Sequence, residues 1–230
     1  MIVAIDGPAG SGKSTVARAL AAREHLTYLD TGAMYRAVTS AALERGIDVA
    51  NAEAIGQLAR ELDIAFEAGD EGPRVSVDGQ DRTREIRTPL VDANVSAVAA
   101  NPAVREAMVA LQRALAQSGD VVAEGRDIGT VVFPSADVKV FLTADPAARA
   151  HRRAVQRTGG DTARDDATAP VDAAAEHEVE EELLARDAAD SSRAVSPLRA
   201  AEDAVRLDST GLSVEQVLDR ISELMAKARA

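Results

Sequence analysis

The sequence predicts an α/β fold: a five-stranded parallel sheet flanked by helices, with a small antiparallel β insertion and a mobile helical lid. Three observations predict it. Short all-apolar runs, the mark of strands buried on both faces, recur between helical segments. Cap-and-proline pairs open several of those segments. One stretch, at about 63–86, changes to short alternating runs around Asp-Gly, a hairpin signal. Strands that alternate with helices imply a parallel sheet covered on both faces, and ligands of such sheets sit at the carboxyl ends of the strands.

Taken in order, I-V-A-I (2–5) reads as a buried strand that ends at Asp6-Gly7, with an Ala-rich helix from about Lys13 to Arg23. L-T-Y-L (26–29) is a second strand leading into D-T-G, then a helix to about Arg45, with Gly46 as its stop. Residues 53–62 read as helical. Thr88-Pro89 and Asn101-Pro102 each open a helix. V-V-A (121–123) and V-K-V-F-L (138–142) are the third and fourth sheet strands, and Asp145-Pro146 caps the helix after the latter. Breakers and few bulky apolar groups predict a mobile loop over 158–175, followed by a charged helix from about Glu176 to Asp190. V-R-L-D (205–208) is the fifth strand, and Ser213-x-x-Gln216 is a capping box opening the last helix.

Composition narrows the function class. A formal net charge of −12 argues against a nucleic-acid or acidic-membrane partner, which needs a basic footprint. With no Cys, a thiol nucleophile, a thiolate metal site and a disulfide are all impossible. The apolar N-terminal run is only four residues long, and no stretch approaches the roughly 20 apolar residues of a membrane span. The expectation is a cytoplasmic protein, with nothing that demands more than a monomer.

Gly7-Pro8-Ala9-Gly10-Ser11-Gly12-Lys13-Ser14-Thr15 matches G-x-x-x-x-G-K-[ST] in full, between a predicted strand and a predicted helix. Glycines let successive backbone N–H groups turn inward around phosphate oxygens at a helix N-terminus. Lys13 supplies a point charge to the β- and γ-phosphates, and the Ser14 hydroxyl a Mg²⁺ ligand. The chain has only three Lys, so one inside a glycine-rich loop is hard to ascribe to chance. A site for ATP or GTP with Mg²⁺ follows, but not yet what the nucleotide is used for.

None of the three Lys follows an Asn, so the guanine-reading N-K-x-D of GTPase switches is absent. Nucleic-acid motors run longer and more basic. What remains is a small-molecule kinase, which needs cations for an anionic acceptor. Arginines recur in D-T-G-A-M-Y-R (30–36), E-G-R-D (124–127) and R-D-A-A-D-S-S-R (186–193), and the planar guanidinium suits phosphate. Glu124, ending a strand, stands where an acid would help hold Mg²⁺; Asp30 is a weaker candidate.

These strings, with I-D-G-P-A-G-S-G-K-S-T, E-G-R-D-I-G-T-V-V-F-P and R-A-V-S-P-L, resemble the bacterial cytidylate kinases, P-loop nucleoside monophosphate kinases, from Ile2 to about Leu218. The resemblance implies transfer of the γ-phosphoryl group of ATP to CMP or dCMP. It implies that Thr31, Tyr35 and Arg36 contact the monophosphate and flank the pyrimidine, and that Ser96 and Arg105 contact base and phosphate. Arg126 and Asp127 would hold the cytosine edge and phosphate, Arg186 and Arg193 the transferring phosphoryl, and Asp190 the sugar. It further implies one kinase domain with a core of 1–62, 87–157 and 194–230, a monophosphate-binding insertion at 63–86 and a lid at 158–193.

The bland readings stand beside these. Tyr35 fits ordinary helix packing, Asp127 an orienting partner of Arg126, Glu124 a structural hydrogen bond, and Arg186 and Arg193 pairs for the acidic helix. The segment after Arg153 is longer and richer in Ala and Asp than the family pattern, so Arg152, Arg153 and Arg157 are assigned no role. Two alternatives stay open: a kinase for another small anionic acceptor, and a nucleotide-binding switch without acceptor turnover.

Overall fold

The computed structural model describes residues 1–67, 73–157 and 171–230, which fall into two compact units. The first comprises Met1–Leu29 and Ala116–Ala230, the second Asp30–Leu115.

The first unit is built on a five-stranded parallel sheet of β1 (Ile2–Asp6), β2 (Thr27–Asp30), β6 (Val121–Gly125), β7 (Val138–Thr143) and β8 (Val205–Asp208), in the order β2-β6-β1-β7-β8. Alternation sorts the apolar side chains to the two faces. Val3 and Ile5 of β1 with Val138, Val140 and Leu142 of β7 meet Val16 and Leu20 of α1 (Lys13–Glu24) and Leu218, Ile221 and Met225 of α8 (Val214–Arg229). Burying each such side chain stabilises the fold by about 1.5–3 kcal/mol. Ser213 and Gln216 close both halves of the capping box that opens α8, as the sequence predicts.

Register places the strand ends side by side. Asp6 pairs with Gly125 on one flank of β1 and with Phe141 on the other. Beyond β6 the chain makes a π turn, Ile128–Val132, with the Phe133 N–H donating to the Ile128 carbonyl at 2.7 Å. The sequence pattern did not anticipate this turn. Such turns concentrate at functional sites.

α6 (Pro146–Arg157) and α7 (Ala173–Ser191) pack together with Ala9 through Ala150, Ala154, Val179 and Leu183. Residues 173–175, expected in a loop, are the first turn of α7. Asp172 caps it by accepting the Ala174 N–H at 3.3 Å, and three consecutive alanines are the best helix formers. Of the rest of the expected mobile loop, residues 158–170 lie outside the described residues.

The second unit holds α2 (Thr31–Glu44), α3 (Ala52–Glu61), α4 (Pro89–Ala100), α5 (Pro102–Leu115) and an antiparallel sheet of β3 (Ile64–Glu67), β4 (Arg74–Val77) and β5 (Gln80–Asp81). β4 and β5 turn at Asp78-Gly79, both at positive φ (50° and 73°), with Val77 paired to Gln80. That is the two-residue hairpin Asp-Gly predicts. D-T-G is not a connecting turn: Asp30 is the N-cap of α2, accepting the Ala33 N–H at 2.9 Å, and the helix starts at once with Thr31. Thr88 and Asn101 cap α4 and α5 ahead of their prolines, as expected.

α3 packs on α5, and Gly56 sets how closely. A Cβ there would lie 2.7 Å from Ala103 Cβ. Gly56→Ala gains about 1 kcal/mol of helix propensity but overpacks against the Ala103 methyl, which has no rotamer to move aside, at a cost of about 1–3 kcal/mol. Net destabilisation is expected, read as a lower urea midpoint. A raised midpoint would mean the two helices part freely there.

Candidate active site

The phosphate loop leaves β1 at Asp6 and enters α1 at Lys13. Gly7 has φ 153°, and a Cβ on it would fall 2.0 Å from the Leu142 carbonyl oxygen, so no other residue fits. Gly12, at φ 90°, is the N-cap of α1, which has no side-chain cap and no acidic residue in its first turn. The positive end of that helix is therefore left for an external anion.

Lys13 is buried, and its Nζ donates to the Pro8 carbonyl at 2.7 Å. Burial first, and then the Arg126 guanidinium, push its pKa down to about 7, against the pull of Glu124, Asp187 and Asp6. This ammonium sits where an arriving anion would relieve two unfavourable effects together, desolvation and like-charge repulsion. Ser14, next in the helix, is exposed. Glu124 at the end of β6 is buried and accepts the Tyr28 hydroxyl at 2.8 Å.

Arg126, Arg186 and Arg193 converge on Asp190 of α7. Arg126 Nε donates to Asp190 Oδ2 at 3.0 Å, and Arg193 pairs with the other carboxylate oxygen. Burial alone would raise the Asp190 pKa; Arg126, Arg193 and Arg186 outweigh it and hold it below the usual value. Asp127 is buried one residue beyond Arg126. Within the first unit the structure thus brings together Lys13, Glu124, Arg126, Arg186, Asp190 and Arg193.

The second unit carries a cluster of its own. The Arg105 guanidinium lies 5.3 Å from the centre of the Tyr35 ring, a cation–π contact of about 0.5–2 kcal/mol. Arg105 also donates to the Ala99 carbonyl at 3.2 Å. Arg36 pairs with Asp92 and donates to the Ile86 carbonyl at 3.2 Å. Ser96 shares a face of α4 with Asp92, one turn on. Thr31 is buried in the first turn of α2, and Arg87 approaches Asp30 at 3.4 Å.

A model of the family described as cytidylate kinase matches residues 3–227. The chain belongs to the cytidylate kinase family. It is 44% identical over 227 residues to a cytidylate kinase of Limosilactobacillus reuteri, covering 99% of this chain and 96% of that protein. The corresponding enzyme of Exiguobacterium sibiricum is 47% identical (96% and 95% covered), and that of Carboxydothermus hydrogenoformans 46% identical (99% and 98% covered).

Sequence reasoning missed several groups that hold the phosphate loop of this cytidylate kinase family member. Arg149 Nη1 donates to the Ala9 carbonyl at 2.9 Å, Asp187 accepts the Ala9 N–H at 3.1 Å, and the two side chains pair with each other. One residue is thereby gripped at both its N–H and its C=O by an ion pair from α6 and α7. Arg152 donates to Ser209 Oγ at 3.1 Å and to its carbonyl at 2.7 Å, while the Ser209 hydroxyl donates to the Ser11 carbonyl at 3.2 Å. Arg157 pairs with Glu182, an exposed contact worth little. The D-P-A-A-R spacing, which puts Arg149 in the first turn of a capped helix, was the signal available for it.

Lys13 also yields a pH expectation. Its folded pKa lies below the unfolded value of 10.5, so between pH 7 and 10.5 the unfolded chain binds the extra proton. The contribution of this group to stability therefore rises with pH across that window. With only Lys13, Lys139 and Lys227 to resolve, carbon NMR of the lysine Cε should give one midpoint near pH 7, moving up when ATP is added. A nucleotide-free Lys13 midpoint above pH 10 would overturn this account.

Proposed function

We propose that this protein transfers the γ-phosphoryl group of ATP to CMP or dCMP, giving ADP and CDP or dCDP. The observation that carries the reading is the buried Lys13 of an uncapped phosphate loop, set within the field of Arg126 beside a cluster of three arginines. The family membership supports the choice of acceptor.

Phosphoryl transfer asks the protein for position and charge rather than for a nucleophile. In this reading the N–H groups of residues 9–15 and the positive end of α1 hold the ATP phosphates. Lys13 neutralises charge on the β- and γ-oxygens. Arg126, Arg186 and Arg193 follow the charge of the transferring group, exchanging the Asp190 carboxylate for phosphoryl oxygens. Asp190 then serves the sugar.

The exposed Ser14 hydroxyl and the buried Glu124 carboxylate, both in the first unit, fit a Mg²⁺ ion that keeps several waters and leans on substrate phosphates. When bound, the ion supplies additional charge neutralisation on the phosphates.

For the acceptor, Asp127 takes the exocyclic amine of cytosine, and Ser96 and arginine donors meet its acceptors. Uracil reverses one polarity, which a site built this way penalises. Thr31, Tyr35, Arg36 and Arg105 serve the monophosphate and the pyrimidine ring. Among the described residues no helix is long and apolar enough to cross a membrane. We place the enzyme in the cytoplasm with its substrates.

The test is ADP release from ATP with Mg²⁺ against CMP, dCMP, UMP, AMP and GMP. Turnover should be strongest on CMP and dCMP and absent in Lys13→Ala. Arg126→Ala should lower kcat/KM for CMP by about 10²-fold or more while ATP affinity changes little. Equal rates on all five acceptors would remove the cytosine assignment, and ATP binding without turnover on any of them would point to a switch.

A further inference from the structure

Asp6 is a buried carboxylic acid that the mechanism above does not use. It closes β1, one residue before the phosphate loop, and is 4% exposed. Its carboxylate accepts two backbone N–H bonds from residues 122 and 123 positions further on: Ile128 to Oδ1 at 2.8 Å and Gly129 to Oδ2 at 2.7 Å. These are the first amides of the π turn, whose own preceding residue, Asp127, gives them no side-chain cap. Asp6 caps that turn from another strand.

The place of Asp6 in the sheet matters as well. In the β1–β6 register it is the residue opposite Gly125. Arg126 and Asp127 lie between Gly125 and Ile128. Asp6 thus stands level with the residue before this dipeptide and binds, through its carboxylate, the two residues after it. The packing leaves no slack: a Cβ on Gly129 would stand 3.2 Å from Lys139 Cδ and 3.4 Å from Asp6 Oδ2. Lys139 is fixed in turn by the Pro134 carbonyl at 2.6 Å and by Asp203 at 2.7 Å.

We propose that Asp6 is a positioning residue for the acceptor, fixing Arg126 and Asp127 against the strand from which the phosphate loop departs. The proposal rests on the reading that Arg126 and Asp127 serve the acceptor nucleotide. Stability gives no reason for this carboxylate. Burial pushes its pKa from 3.8 up to about 6, against the pull of the Gly129 and Ile128 N–H groups. With the folded value above the unfolded one, the folded chain holds the proton more tightly. What the group adds to stability is present below pH 3.8 and is lost as pH rises through 6. At neutral pH an ionised Asp6 is a burden on the fold that two well-placed amides only partly relieve.

The experiment compares Asp6→Asn and Asp6→Glu with wild type. Asn offers one acceptor oxygen, so one of the two N–H groups loses its partner. Glu keeps the charge near Lys13 but moves it by a methylene. Both variants should raise the Kd for CMP and lower kcat by about tenfold or more, a misplacement effect, with the Kd for ATP within about threefold of wild type. Without any substrate, the Ile128 and Gly129 amides should exchange hydrogen faster in Asp6→Asn. Should Asp6→Asn fail to fold, Gly129→Ala presses on the same clamp with Asp6 intact, and the same loss of CMP affinity is expected.

Full rescue by Asp6→Glu would show that only charge matters and overturn the proposal. So would a loss confined to ATP affinity. Wild-type protein that neither binds nor phosphorylates CMP removes the acceptor reading and this proposal together. Wild type active on CMP, with CMP affinity untouched in Asp6→Asn, removes the proposal alone.

Discussion

A site meant for polyanions must stay folded without them, and the buried Lys13 ammonium states that problem in its sharpest form. Its charge is desolvated, and a second cation, Arg126, repels it. The structure answers with carboxylates. Asp6, Glu124 and Asp187 act on Lys13 through space, Asp187 also pairs with Arg149, and Asp190 gathers Arg126, Arg186 and Arg193. Removing Asp187 or Asp190 would leave a buried arginine without its ion-pair partner, which costs far more than an exposed pair ever contributes.

The sheet makes this arrangement possible. Parallel strands whose ends stand in register bring Asp6 and Gly125 opposite each other, so the residues that follow them, the phosphate loop and Arg126-Asp127, start from one edge. α6 and α7 then lay Arg149 and Asp187 on the Ala9 peptide. The core of Ile5, Leu20, Leu142 and Ile221 has no polar duty; it holds that edge still.

Local signals were the legible ones. The phosphate loop is a contiguous motif, its glycines demanded by backbone geometry, so the sequence announces it. Caps at Thr88, Asn101 and Ser213 and the Asp78-Gly79 hairpin are local for the same reason. The arginine cluster was legible as composition within two short strings, but its focus on Asp190 was not. Asp6, Arg149 and Asp187 escaped because each acts on a residue far along the chain, Asp6 across 122 positions and Asp187 across 178. No periodicity records such a pairing. The π turn escaped for a related reason: its apolar run fits several local forms, and an acceptor from another strand selects among them. The start of α7 was missed because an Ala-rich segment without bulky groups looks like a loop until Asp172 caps it.

Charge on two length scales completes the argument. The chain as a whole carries −12, which opposes the approach of any nucleotide. At physiological salt that field is screened over about 8 Å, while the buried Lys13 and its neighbours are screened much less. An arriving phosphate thus feels the local cations, but it does not meet them bare. Arg126 and Arg193 already hold Asp190, which in the proposed mechanism they exchange for phosphoryl oxygens, and the Ala9 N–H already has Asp187 as its acceptor. Net binding energy is the difference between two occupied states. A cluster built on such exchange grips its anions less tightly than a count of its cations suggests, as a turnover enzyme requires when it must release ADP and a nucleoside diphosphate after each transfer.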